Sequence, residues 1–169
     1  MRAFLALAAA LLAAQTPPVY RAKEEKLPLA VAPQPIAFSH RQHAELGLQC
    51  ADCHKGAATG ERAGLPGAAA CLVCHRTMRA DSPEVRKLHD YEGKGGRIPW
   101  VRVYRVPEFV FFSHASHTEA GLACESCHGA VSKRDVLQKE VSTSMTACMN
   151  CHAARRVSND CHFCHSLGF

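Results

Sequence analysis

The chain has 169 residues, of which 47% are hydrophobic but only 7% aromatic, and a formal charge of +5. That length predicts one domain with no second independent core. Ten Cys and eleven His are far more than a plain globular domain uses, which excludes a core built from apolar side chains alone.

Met1-Arg2 followed by the unbroken apolar run Ala3 to Ala14 predicts a signal peptide over residues 1–14. Twelve residues would span about 18 Å as a helix, too short for roughly 30 Å of hydrocarbon, and Ala13-Ala14 supplies the small residues that cleavage needs. Export and an oxidising compartment such as the periplasm follow, with no membrane span expected after cleavage. Residues 15–37, with Pro17, Pro18, Pro28, Pro33 and Pro35, read as an extended leader.

Residues 38–80 form the first predicted module, with a Gly- and Ala-rich spacer from Gly56 to Ala70 that reads as a loop with little side chain to pack. A connector covers 81–111. In it, Ser82-Pro83-Glu84 starts a short helix over 82–92, and Gly93-Lys94-Gly95-Gly96 ends it. Val101 to Phe112, β-branched and aromatic but interrupted by Pro107, is the best strand candidate. Residues 112–169 form the second module.

All ten Cys fall into five C-x-x-C pairs, each followed at once by His: Cys50-Cys53-His54, Cys71-Cys74-His75, Cys124-Cys127-His128, Cys148-Cys151-His152 and Cys161-Cys164-His165. C-x-x-C-H denotes c-type haem attachment. Two thiols three residues apart reach the two vinyl groups of one porphyrin, and the next residue turns its imidazole onto the iron. Zinc ribbons need two pairs per metal, and five pairs leave one over. Disulfides within C-x-x-C are poor staples because the loop is so short. Five of five motifs with no stray Cys therefore predict five covalently attached haem c groups, two in the first module and three in the second.

Six histidines remain: His40, His43, His89, His114, His117 and His162. Residues 38–54, FSHRQHAELGLQCADCH, and 112–128, FSHASHTEAGLACESCH, match at ten of seventeen positions with a constant offset of 74. Each copy carries two His three apart, which lie on neighbouring parts of one helical face. They are too close to be trans to one another on a single iron, so one caps the haem that follows and the other reaches an adjacent haem.

With F-S-H-x-x-H upstream of C-x-x-C-H and short inter-haem spacers, residues 38–165 resemble the low-potential bis-histidine multihaem cytochromes c of the class III type. The stretch IPWVRVYRVPEFVFFSHASH, residues 98–117, is also similar to the pentahaem cytochrome subunit of the quinol-oxidising alternative complex III. The first resemblance implies that His40 caps the Cys50/Cys53 haem and His114 the Cys124/Cys127 haem, while His43 and His117 reach neighbouring haems. It departs from the family before the last motif, where Ala153 to Asp160 contains no His. The sixth ligand there is left open among His89, His162, Met145, Met149 or nothing. His89, in a connector that can fold back, is favoured over His162, which lies inside an attachment loop.

About 150 mature residues for five haems leaves roughly 30 each, too few for separate cores. The expected fold is mainly irregular and α with little strand, two tandem modules wrapped around a haem stack. The positive charge offsets haem propionates, and no basic run of nucleic-acid type appears. The expected function is electron transfer between redox partner proteins, either free or docked on a membrane quinol-oxidising complex. The alternative is a nitrite, hydroxylamine or sulfite reductase with one open haem.

Overall fold

The computed structural model describes residues 25–166; the predicted signal peptide and the start of the leader lie outside these. Eight short helices follow one another: α1 His40–Glu45, α2 Cys50–Cys53, α3 Ala68–His75, α4 Pro83–Gly93, α5 His114–Glu119, α6 Glu125–His128, α7 Met145–Ala154 and α8 Cys161–Cys164. Single 3-10 turns stand at Lys55–Ala57 and Val131–Lys133. The fold is therefore small, helical and irregular.

Four of the five attachment motifs start at or within a helix N-terminal turn or lie wholly inside one, because one helical turn is what presents two thiols and the following imidazole together. The caps are local. Ser39 accepts from Gln42 N, Ser113 from Ser116 N, Ser144 from Ala147 N and Asp160 from His162 N. At α2 the Asp52 carboxylate accepts from Gln49 N at 2.7 Å. The predicted helix at 82–92 forms as α4, with Pro83 in its first turn, although the Ser82 side chain makes no cap bond.

Two expectations are corrected. Val101 to Phe112 is not a strand. The described residues hold only an isolated antiparallel bridge, Val110 to His165. The stretch spends its backbone donors elsewhere: Val101 N donates to the Gln34 side chain and Phe111 N to Cys164 O, so no neighbouring strand can pair with it. The spacer 56–70 is likewise not without packing, since Ala68 at its end is fully buried.

Ala68 belongs to a small core of Ile36, Ala68, Leu72, Val85, Leu88 and Ile98, flanked by Cys71, Tyr91 and Trp100. It lies between α3 and α4. Trp100 Nε1 donates to Pro66 O, and Ala68 N to Gly96 O, both at 2.8 Å. A Cβ on Gly67 would stand 2.7 Å from Gly96 O, so only glycine permits this approach. These six side chains serve the Cys71/Cys74 helix alone. Leu46, Val73, Phe109, Phe111, Val136, Met145 and Phe163 are exposed, and apolar packing of protein on protein does not account for the rest of the molecule.

The two sequence repeats interlock. Helix α1 packs over the turn at 131–133, and α5 over the turn at 55–57. Arg41 N donates to Arg134 O and Ala115 N to Gly60 O, each at 3.0 Å; both donors and both acceptors are 74 residues apart. Each repeat thus lays its histidine helix on the other repeat.

Candidate haem-binding site

In both repeats one side chain orders both histidines. The Phe38 ring lies 4.8 Å from His40, edge-on, and 4.4 Å from His43, stacked. Phe112 lies 4.8 Å from His114 and 4.7 Å from His117, with nearly the same ring angles. His43 Nδ1 donates to Ser39 O and His117 Nδ1 to Ser113 O, both at 2.8 Å. The serine that caps the helix by its side chain therefore also anchors an imidazole by its carbonyl.

The same device recurs at the motif histidines. Nδ1 donates to Gly64 O from His54 at 2.7 Å, to Met78 O from His75 at 3.0 Å, to Ser158 O from His152 at 3.2 Å, and to Phe109 O from His165 at 3.4 Å. His114 Nδ1 donates to Glu61 O at 2.8 Å. A carbonyl accepts only from a protonated nitrogen, so each bond fixes the tautomer and leaves the Nε2 lone pair for a metal. Two rings depart from this pattern. His40 Nδ1 is buried without a partner, and the His128 ring packs edge-on against Tyr104 at 4.7 Å, with the Tyr104 hydroxyl donating to His128 O.

The rings come in pairs. His43 and His75 have centroids 6.1 Å apart, His114 and His128 6.4 Å, and His117 and His152 6.2 Å. His40 lies close enough to His54 for their charges to interact. With iron–nitrogen bonds of about 2.0 Å and about 1.1 Å from Nε2 to each ring centre, two imidazoles on opposite sides of one iron stand about 6.2 Å apart. The three measured separations fit that requirement.

Electrostatics agree. Burial first, and then the neighbouring His54 and His43, lower the His40 pKa to about 4. Burial and then His114 and His54 lower that of His128. Both rings are thus held neutral, the form that binds iron. No disulfide joins any of the ten cysteines, and burial raises the pKa of Cys50, Cys71, Cys127 and Cys148. Among the described residues, no three His, Cys, Asp or Glu side chains converge as a site for a bare metal ion. Paired imidazoles about 6 Å apart, with a thiol pair beside them, suit an iron carried inside a porphyrin and not a zinc ribbon.

Comparison with known proteins agrees with this chemistry. Residues 16–94 match the class III cytochrome c family and residues 110–166 match cytochrome c7 and related cytochromes c. Over 160 residues the chain is 31% identical to the "Menaquinone reductase, multiheme cytochrome c subunit" of Nitratidesulfovibrio vulgaris strain Hildenborough, covering 78% of this chain and 76% of that protein.

The chain belongs to the class III multihaem cytochromes c.

Electron transfer through haem c is accordingly what this cytochrome does. The nine histidines 40, 43, 54, 75, 114, 117, 128, 152 and 165 are half-buried, whereas His89 and His162 are exposed. His89 sits on α4 away from any ring pair, and His162 occupies the α8 attachment turn. Neither is brought to His165, whose ring neighbour is Phe109 at 5.7 Å. Met145 is 64% exposed at the start of α7, and Met149 lies one turn on, with its carbonyl accepting from Asn159. Phe38, Phe112 and Tyr104 were missed as site residues, although the shared Phe ahead of S-H-x-x-H was a visible signal. No helix of the described residues is long and apolar enough to cross a membrane.

Proposed function

We propose that this cytochrome is an exported, periplasmic pentahaem electron-transfer subunit that docks on a membrane quinone-reactive complex. The observation that carries the reading is the set of three imidazole pairs 6.1–6.4 Å apart, each joining a C-x-x-C-H motif to a duplicated upstream helix. The cysteines of the five motifs would hold the porphyrins by thioether bonds. His54, His75, His128, His152 and His165 would be the proximal ligands, with His40, His43, His114 and His117 opposite the first four. Haem c supplies a one-electron iron couple, and two imidazoles keep its potential below that of a Met-ligated iron. The polypeptide contributes fixed ligand tautomers, burial of the rings and close spacing of sites. Residues 38–80 and 112–169 would be the two modules of one continuous haem-cored domain.

The membrane partner is supported by the relative, whose name is that of a menaquinone reductase subunit. On this reading, quinone chemistry takes place on the partner and the cytochrome relays single electrons. The test is purification from membrane and soluble fractions of a competent host, with intact mass and haem quantified in each. Five added haem masses, with co-purification of an integral-membrane complex, are expected. A mass without tetrapyrrole would overturn the reading.

One observation favours a second reading for the fifth site alone. His165 faces Phe109 while His89 and His162 stay exposed, so this iron would keep one side free for a small ligand of nitrite, hydroxylamine or sulfite type. Cyanide titration, counted per haem, decides between the two. One equivalent bound, with loss of a high-spin signal present before cyanide is added, supports the open site, and none bound supports a pure relay.

A further inference from the structure

The five motifs are not neighbours in the order in which the chain supplies them. The first motif meets the repeat that carries the third: α5 lies on the turn after His54, and α1 on the turn after His128. The backbone binds the same junction. His114 Nδ1 donates to Glu61 O, Ala115 N to Gly60 O, and Thr118 Oγ1 to Ala57 O, so the ligand helix of the third site rests on the loop that follows His54. The second motif also adjoins the first. Cys53 and Ala70, the residue before Cys71, line one cavity, and α1 bears both His40 and His43, of which His43 pairs with His75 at 6.1 Å. Beyond the third motif the order returns to that of the chain. Helix α5 carries the ring partners of both His128 and His152, and the residues just before the fifth motif are tied to α7, His152 Nδ1 donating to Ser158 O and Asn159 Nδ2 to Met149 O.

We infer that the attachment sites stand in space as Cys71/Cys74, Cys50/Cys53, Cys124/Cys127, Cys148/Cys151, Cys161/Cys164, so that the second and fifth motifs, not the first and last, form the two ends of the electron path. This rests on reading all five motifs as haem sites. Between adjacent sites one iron is oxidised as its neighbour is reduced, one electron at a time, with no bond broken and no proton required. An external one-electron redox protein must therefore approach near α3 or near α8. The first site, though nearest the N-terminus of the described motifs, is interior to the path.

The design behind this order is visible in the interlocked repeats. Each duplicated unit brings two sites, and the units meet through their first members because α5 lies on the turn after His54 and α1 on the turn after His128. Joining the units head to head in this way puts the first and third sites in the middle. The second site is pushed outward, against the apolar core of α3 and α4.

The test is a redox titration of the intact five-haem protein followed by NMR of the haem methyl signals, which yields the coupling between each pair of haems. His43→Met and His117→Met variants identify the second and fourth haems by their altered signals. The first–third coupling is expected to exceed the second–third coupling severalfold, and an experimental structure of the holoprotein is expected to show the same succession of irons. A second–third coupling equal to or larger than the first–third one, or a fifth haem coupled directly to the second, would overturn the inference. Intact mass reports separately on the reading beneath it: fewer than five haems would remove that reading, whereas five haems in chain order would remove only the proposed path.

Discussion

Phe38 and Phe112 each touch two imidazoles, one edge-on and one stacked, so a single ring orients two histidines, which under the proposed ligand set would serve two separate irons. Replacing Phe38 by Ala should broaden the low-spin EPR signals of the first two sites and leave the third and fourth unchanged; Phe112→Ala should do the reverse. The equivalence of the repeats fails at two rings. His54 Nδ1 donates to Gly64 O, whereas the His128 ring packs edge-on against Tyr104. His114 Nδ1 has Glu61 O as its acceptor, while His40 Nδ1, 74 residues earlier, is buried without one. An Nδ1–H···O=C bond makes imidazole a stronger donor to metal, and a stronger donor favours ferric iron. The first haem, where only His54 makes such a bond, should therefore titrate at a higher potential than the second, where His43 and His75 both do, and a haem-resolved redox titration reads this directly. His43→Met should raise the potential of the second haem, with a new sulfur-to-iron charge-transfer band as its optical sign.

Much at the scale of elements could be read in the chain. The helix starts at Ser39 and Ser113 came from repeated letters, and both hydroxyls cap as that pattern requires. Ser39→Ala or Ser113→Ala should cost about 1 kcal/mol each, measured by thermal unfolding of the loaded protein. That His43 and His117 reach a site other than that of His40 and His114 was expected from spacing, because two histidines on one short helix cannot serve the same iron, but which motif histidine each would meet was not legible. What could not be read was set by contacts far along the chain. Gly64, Met78, Glu61 and Ser158 hold imidazoles by backbone oxygens, and a carbonyl leaves no mark on residue type. Val101 to Phe112 looked like a strand from composition, yet a strand needs a partner edge and the chain offers none there. The α1 junction adds an electrostatic clamp. Arg41 meets Asp135 at 3.0 Å and Ser39 Oγ donates to the same carboxylate at 2.6 Å. The Ser39 bond first, and then Arg41, hold the Asp135 carboxyl below its ordinary 3.8. A depressed carboxylate stabilises the fold above its ordinary pKa and loses that contribution as pH falls through the lowered value. Asp135→Asn should therefore melt below the wild type at neutral pH, with the two converging as pH drops past about 3.8.

For the whole molecule, the expected class held because its cause was arithmetic: five C-x-x-C-H motifs in 169 residues leave too little chain for five apolar cores. The apolar core among the described residues, around Leu72 at 1% exposure, packs on α3, the helix of the second motif. Leu72→Ala should destabilise the protein by about 2–5 kcal/mol, and denaturant titration should show the second haem losing its low-spin signature before the others. That outcome would also show that α3 and α4 open as a unit apart from the remainder.

The crossed docking of α1 and α5 bears on how such a chain can mature. Polypeptides are made starting from the amino end, so the first repeat emerges while residues 131–135, the seat of its own histidine helix, have yet to arrive. His40 and His43 must wait with their helix unsupported, and the earliest thioether bonds form on a segment that cannot close. The order in which cofactors are attached and the order in which their coordination is completed are thereby uncoupled, and a fragment stopped after Gly96 should carry its tetrapyrroles yet bind carbon monoxide that the finished protein refuses at those two positions.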